Sequence, residues 1–126
     1  MAFSISKIVA VDDSAIVLKM LGRVLERKYD AHLFSTGKRA LQFLGSKDRK
    51  PDLIILDIDM PDINGYELLE QIKKMEHLTD VPVIFLTSNK DKDHVIKAVA
   101  GGAKDYVIKP IDEEVLVDKI QSLLNE

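Results

Sequence analysis

The sequence predicts an α/β fold: a single five-stranded parallel sheet, doubly wound by five helices. Three observations predict it. Short apolar runs rich in β-branched residues alternate five times with stretches whose apolar residues recur at helical spacing. Two of those runs, LIIL at 53–56 and PVIFL at 82–86, are apolar at every position, which leaves neither face of the strand for water. The 126 residues contain no linker, low-complexity segment or charge block, so residues 1–126 fit one domain.

The elements follow in order. KIVAV at 7–11 is a short β-branched strand that stops at Asp12. Residues 15–27 carry Val17, Met20, Leu21, Val24 and Leu25 on one helical face. Residues 31–34 make a weak strand. Residues 36–45 place Ala40, Leu41 and Leu44 at helical spacing, with Gly45 as the stop. The buried strand at 53–56 comes next, then a helix over 64–75 built on Leu68, Leu69, Ile72 and Met75, with Asn64 as its N-cap. The strand at 82–86 holds its proline at the start, where no ladder bond is lost. A more polar helix at 91–100 ends at Gly101-Gly102, a brief strand covers 106–108, and a last helix covers 111–124. With the strand order 2-1-3-4-5, ligands bind beyond the carboxyl ends of the strands near the switch point.

Composition narrows the function. Apolar residues make up 46% and charged residues 31%, as in an ordinary soluble globule. A net charge of −3 gives no general attraction to nucleic acid or to an anionic membrane. The apolar runs are far shorter than the ~20 residues of a membrane span, and MAFSISK does not read as a signal peptide, so a cytoplasmic protein is expected. Without cysteine there is no disulfide or thiol chemistry. His32, His77 and His94 match no metal-ligand spacing.

The strand ends carry the chemistry. Asp12 and Asp13 follow the first strand, Asp57 and Asp59 the third, Thr87, Ser88 and Asn89 the fourth, and Lys109-Pro110 the fifth. Each has a plainer role when taken alone. Asp13 or Ser14 can cap a helix, Asp57 can open a turn, Thr87 can end a strand, and Lys109 can be a surface lysine. Independent caps and turns, however, give no reason for acids on two strand tips and a lysine on a third. Two carboxylates ~4 Å apart repel by ~4 kcal/mol at an effective dielectric of 20, and Lys109 offsets only part of that. A divalent cation is the natural remainder, and an all-oxygen ligand set suits Mg²⁺, or Mn²⁺. An EF-hand does not fit, since Asp62 and Leu68 stand where its glycine and glutamate belong. A metal beside a carboxylate, an ammonium and a hydroxyl is equipped for phosphoryl transfer. Asp57 is then the nucleophile, with Lys109 and Thr87 stabilising the phosphoryl oxygens.

The four segments VDDS (11–14), LDIDMPDING (56–65), FLTS (85–88) and GAKDYVIKP (102–110) together resemble the receiver domain of two-component response regulators, flavodoxin-like in strand order. The resemblance covers essentially the whole chain, with the motifs in family order. It implies a phosphorylation-activated signalling switch. Asp57 would take a phosphoryl group from the phosphohistidine of a sensor histidine kinase or histidine phosphotransfer protein. Asp12, Asp13 and Asp57 would hold Mg²⁺, with the Asp59 backbone carbonyl as a further ligand. Lys109 would pair with the phosphate, and its bond to Pro110 would be cis. Thr87 and Tyr106 would form the switch, passing its state to an output surface over about residues 91–124 and so to a downstream protein effector. Asp59 and Asn89 lie where the family tunes loss of its phosphate. Asp59 departs from the commonest pattern in being charged, so its carboxylate is expected to alter the phosphorylated lifetime. Such a domain is not an enzyme in the ordinary sense, since it catalyses only its own phosphorylation and dephosphorylation.

Three rivals are weaker. A phosphatase or phosphotransferase of the haloacid-dehalogenase type also has Asp-x-Asp after a strand, as in Asp57-Ile58-Asp59, but there the nucleophile precedes the acidic pair. A receiver that never takes phosphate would not need the full set of site residues. A flavodoxin would need a Ser/Thr/Gly-rich phosphate cradle where this chain has Asp12-Asp13-Ser14.

Overall fold

The computed structural model describes residues 5–88 and 92–125. Five strands, β1 (Lys7–Val11), β2 (Asp30–Phe34), β3 (Leu53–Asp57), β4 (Val83–Thr87) and β5 (Asp105–Ile108), form one parallel sheet in the order β2-β1-β3-β4-β5. Five helices connect and follow them: α1 (Ala15–Leu25), α2 (Gly37–Leu44), α3 (Gly65–Lys73), α4 (Lys92–Ala100) and α5 (Glu113–Leu124). This is the flavodoxin-like doubly wound fold that the alternating pattern predicts.

Residues of alternate parity divide the sheet between two cores. Val9, Val11, Ile54, Leu56, Val83 and Phe85 face α2, α3 and α4, where they meet Ala40, Leu44, Leu68, Leu69, Ile72 and Ala98. Ile8, Ala10, Leu53, Ile55, Ile84, Leu86 and Val107 face α1 and α5, where they meet Leu21, Leu25, Leu116 and Ile120. β3 and β4 are buried at all five positions each, which is why their sequences alternate nothing.

Element boundaries shift in ways the packing explains. α1 stops at Leu25 rather than at residue 27, because a turn closes there and brings Tyr29, 6% exposed, back into the core. α3 stops at Lys73, and a single 3-10 turn at Glu76–Leu78 follows, burying Leu78. Pro82 lies just outside β4, where its carbonyl accepts the Ile54 N–H at 3.0 Å. β3 and β4 each run one residue further than their apolar stretch, so Asp57 and Thr87 are the last residues of their strands. Among the described residues no helix is long and apolar enough to cross a membrane.

Candidate functional site

Parallel strands deliver their carboxyl ends to one rim. Asp12 continues the β1 ladder, its N–H donating to Phe34 O at 3.1 Å, and its side chain is fully buried. Asp12 Oδ1 accepts the Ser14 N–H at 2.9 Å. The cap of α1 is Ser14, whose hydroxyl accepts the Val17 N–H at 3.3 Å, so Asp13 is left over for other work. Asp57 is 2% exposed, and its Oδ1 accepts the Asp59 N–H at 3.2 Å. Asp13 stands exposed at the mouth, with one carboxylate oxygen from each of Asp12, Asp13 and Asp57 within 4.8 Å of one another.

Lys109 closes the group. Its N–H donates to Thr87 O at 2.7 Å, continuing the β4–β5 edge, and its bond to Pro110 is cis. The ammonium lies 2.8 Å from Asp12 Oδ2 and 3.3 Å from Asp57 Oδ1. Burial alone would lower the Lys109 pKa, but the adjoining Asp12 and Asp57 carboxylates outweigh it and hold the group above its usual value. Asp57 moves further. Burial first and the Asp12 charge second push it up to about 7, Asp13 adds to the rise, and Lys109 and the Asp59 N–H only partly oppose it.

Among the described residues the three carboxylates thus meet one ammonium, and the Asp12 charge adds to the rise that burial imposes on Asp57. Asp12 Oδ2 is buried, and the Lys109 ammonium 2.8 Å away is its charge partner. An oxygen-only donor set with surplus negative charge fits a hard divalent cation such as Mg²⁺.

The remaining predicted residues divide. Thr87 is 1% exposed and registers with Ile108. Tyr106 registers with Phe85, two residues earlier on both strands, so Thr87 and Tyr106 lie on the same face of the sheet. The Tyr106 N–H donates to Asp105 Oδ1 at 2.8 Å, and the Lys119 ammonium lies 5.4 Å from the centre of its ring. Asp59 is exposed beside Asp57, whereas Asn89 lies outside the described residues.

Two glycines and one acid at this site were not singled out from the sequence. A Cβ on Gly65 would stand 2.7 Å from both Asp57 O and Ile58 Cα, so α3 can begin this close to the Asp57 strand only with glycine there. The Asn-Gly pair marks a turn but says nothing of that approach. Gly37 and Asp62 meet across the start of α2, and no local pattern announces a contact between residues so far apart in the chain.

A profile of the family described as response regulator receiver domain matches residues 8–121. The two-component response regulator ORR3 of Oryza sativa subsp. indica is 35% identical over 105 residues, covering 82% of this chain and 79% of that protein. The two-component response regulator ARR10 of Arabidopsis thaliana is 39% identical over 111 residues, which is 87% of this chain but 20% of that protein. The chain therefore spans about a fifth of ARR10 and about four fifths of ORR3. The structure of the chemotaxis response regulator CheY4 of Vibrio cholerae superposes with a TM-score of 0.87 at 26% identity, covering 95% of this chain and 99% of that one.

Proposed function

The chain belongs to the response regulator receiver domain family, a signalling family of phosphorylation-activated switches, and from that premise we propose that Asp57 is its phosphoacceptor. The haloacid-dehalogenase alternative has no support from any of these relatives. In this reading residues 1–126 act as one receiver domain in the cytoplasm.

The phosphoryl donor is the phosphohistidine of a sensor histidine kinase or histidine phosphotransfer protein. An Asp57 carboxylate oxygen attacks phosphorus, the P–N bond breaks, and histidine leaves with a proton, so that an aspartyl phosphate forms. Lys109 keeps its ammonium at 3.3 Å from Asp57 Oδ1, where it can neutralise a phosphoryl oxygen. Asp12, Asp13, Asp57 and the Asp59 backbone carbonyl would hold Mg²⁺, or Mn²⁺, which when bound supplies the remaining positive charge opposite the phosphoryl oxygens. Thr87 donates its hydroxyl to the phosphate, and Tyr106 turns into the space so vacated. Because the two share one face of the sheet, that motion reaches the output surface over about residues 91–124 and a downstream protein effector. Asp59 and Asn89 flank the site and tune hydrolysis of the phosphate. The domain thus catalyses only its own phosphorylation and dephosphorylation.

The observation that carries the proposal is the meeting of Asp12, Asp13 and Asp57 within 4.8 Å, with the Lys109 ammonium beside them. Incubation with a small acyl-phosphate donor tests it. With Mg²⁺ the chain should take up one acid-stable, base-labile phosphate, and with a chelator none. Uptake that is unchanged by the chelator, or a label that is not a base-labile acyl phosphate, would contradict it.

A further inference from the structure

The loop between β3 and α3, residues 58–64, carries Asp59 and leads away from Asp57. Its far end is tied back on itself, since the Gly65 N–H donates to Ile58 O at 2.8 Å. Its middle leans on a different element. Asp62 Oδ2 accepts the Lys38 N–H at 3.1 Å. Ile63 packs on Gly37 so tightly that a Cβ there would overlap its methyl group.

α2 therefore begins with two caps of different origin. Thr36, its own N-cap, accepts the Arg39 N–H at 3.2 Å. The Lys38 N–H before that is satisfied by Asp62, 24 residues further along the chain. A carboxylate is the favoured partner for the positive end of a helix. The small burial of Asp62 acts to raise its pKa, but the Lys38 N–H and the neighbouring backbone N–H dipoles outweigh it and hold the carboxyl below its usual range.

We propose that Asp62 is a positioning residue for the divalent-cation site: by holding the first turn of α2 it fixes residues 58–64, and with them the Asp59 backbone carbonyl, where the ion needs them. The inference rests on the reading of Asp12, Asp13 and Asp57 as that cation site. It adds α2, which contributes no ligand, to the elements that set metal affinity. Outer partners that orient a ligand commonly govern affinity in this way.

Calorimetric titration with Mg²⁺ tests it, with thermal unfolding recorded on the same samples. Asp62→Ala should weaken Mg²⁺ on the order of tenfold, the lower end of what such partners are worth. Asp62→Asn, whose amide oxygen still accepts the Lys38 N–H, should stay close to wild type. Thr36→Ala removes the other cap of the same helix, so it should lower the unfolding midpoint while leaving Mg²⁺ affinity at the wild-type value. Asp62 is exposed and outside both cores, so its alanine variant is measured as a folded protein. Unchanged affinity in Asp62→Ala overturns the inference, as does an equal loss in Thr36→Ala. A wild-type protein that ignores millimolar Mg²⁺ overturns the cation-site reading itself, and the inference with it.

Discussion

Asp57 is close to half-protonated at neutral pH when no metal is bound, since burial and the Asp12 charge lift it from 3.8 to about 7. Between those values the folded protein keeps a proton that the unfolded chain has released. Stability of the metal-free protein therefore falls as pH rises from about 4 to about 7. Asp57→Asn removes the penalty. In chelator it should raise the midpoint of thermal unfolding at pH 8 and change it little at pH 4, and an equal change at both pH values would contradict this. Mg²⁺ should restore the wild type at pH 8 and bind more weakly at pH 6, because the ion takes the deprotonated carboxylate. Asp12, Asp13, Asp57, Thr87 and Lys109 were legible from sequence because each sits where a short apolar run stops, a local signal. Ser14 rather than Asp13 as the cap of α1 was not, since both residue types cap helices equally well. The role of Asp62 was hidden for a different reason, its partners being the backbone of a distant helix.

Helix α4 differs from its neighbours in how it is held. α3 buries Leu68, Leu69 and Ile72, whereas α4 buries Ala98 among its described side chains and leaves Ile96 and Val99 55% and 52% exposed. Its end is also tied to α3 by the Lys97 ammonium, 4.7 Å from the centre of the Tyr66 ring. That ring in turn packs edge-on against Phe85 of β4, at 5.5 Å between centres. The exposed Ile96 and Val99 predict that α4 amides exchange with solvent faster than those of α3. Tyr66→Leu should speed α4 exchange by about two- to fivefold, the loss expected for a cation–π contact of ~0.5–1 kcal/mol. Exchange in α4 as slow as in α3, or unaffected by the substitution, would contradict this. The polar, short pattern at 91–100 already set this helix apart in the sequence. Exact ends were less legible: α1 stops two residues early to admit Tyr29, and the turns at Lys47–Arg49 and Glu76–Leu78 carry no periodic signal.

Across the molecule, one sheet serves two cores and one rim. Side chains of alternate parity fill the two faces, and the strand ends collect the polar residues that neither face can take. That division is why the fold was legible: LIIL and PVIFL are intelligible only between two layers of helices. Strand order is a long-range property, which the runs do not encode one by one. It entered as the order 2-1-3-4-5 of a doubly wound sheet, from which acids on two tips and a lysine on a third come to share one rim, as Asp12, Asp57 and Lys109 do. Everything functional depends on that meeting, and its most direct test is covalent. Wild type and Asp57→Asn are incubated with a small acyl phosphate and Mg²⁺, and their intact masses are compared. The wild type should gain the mass of one phosphoryl group and the variant none. An equal gain in both, or none in either, would contradict the assignment of Asp57 as the phosphoacceptor.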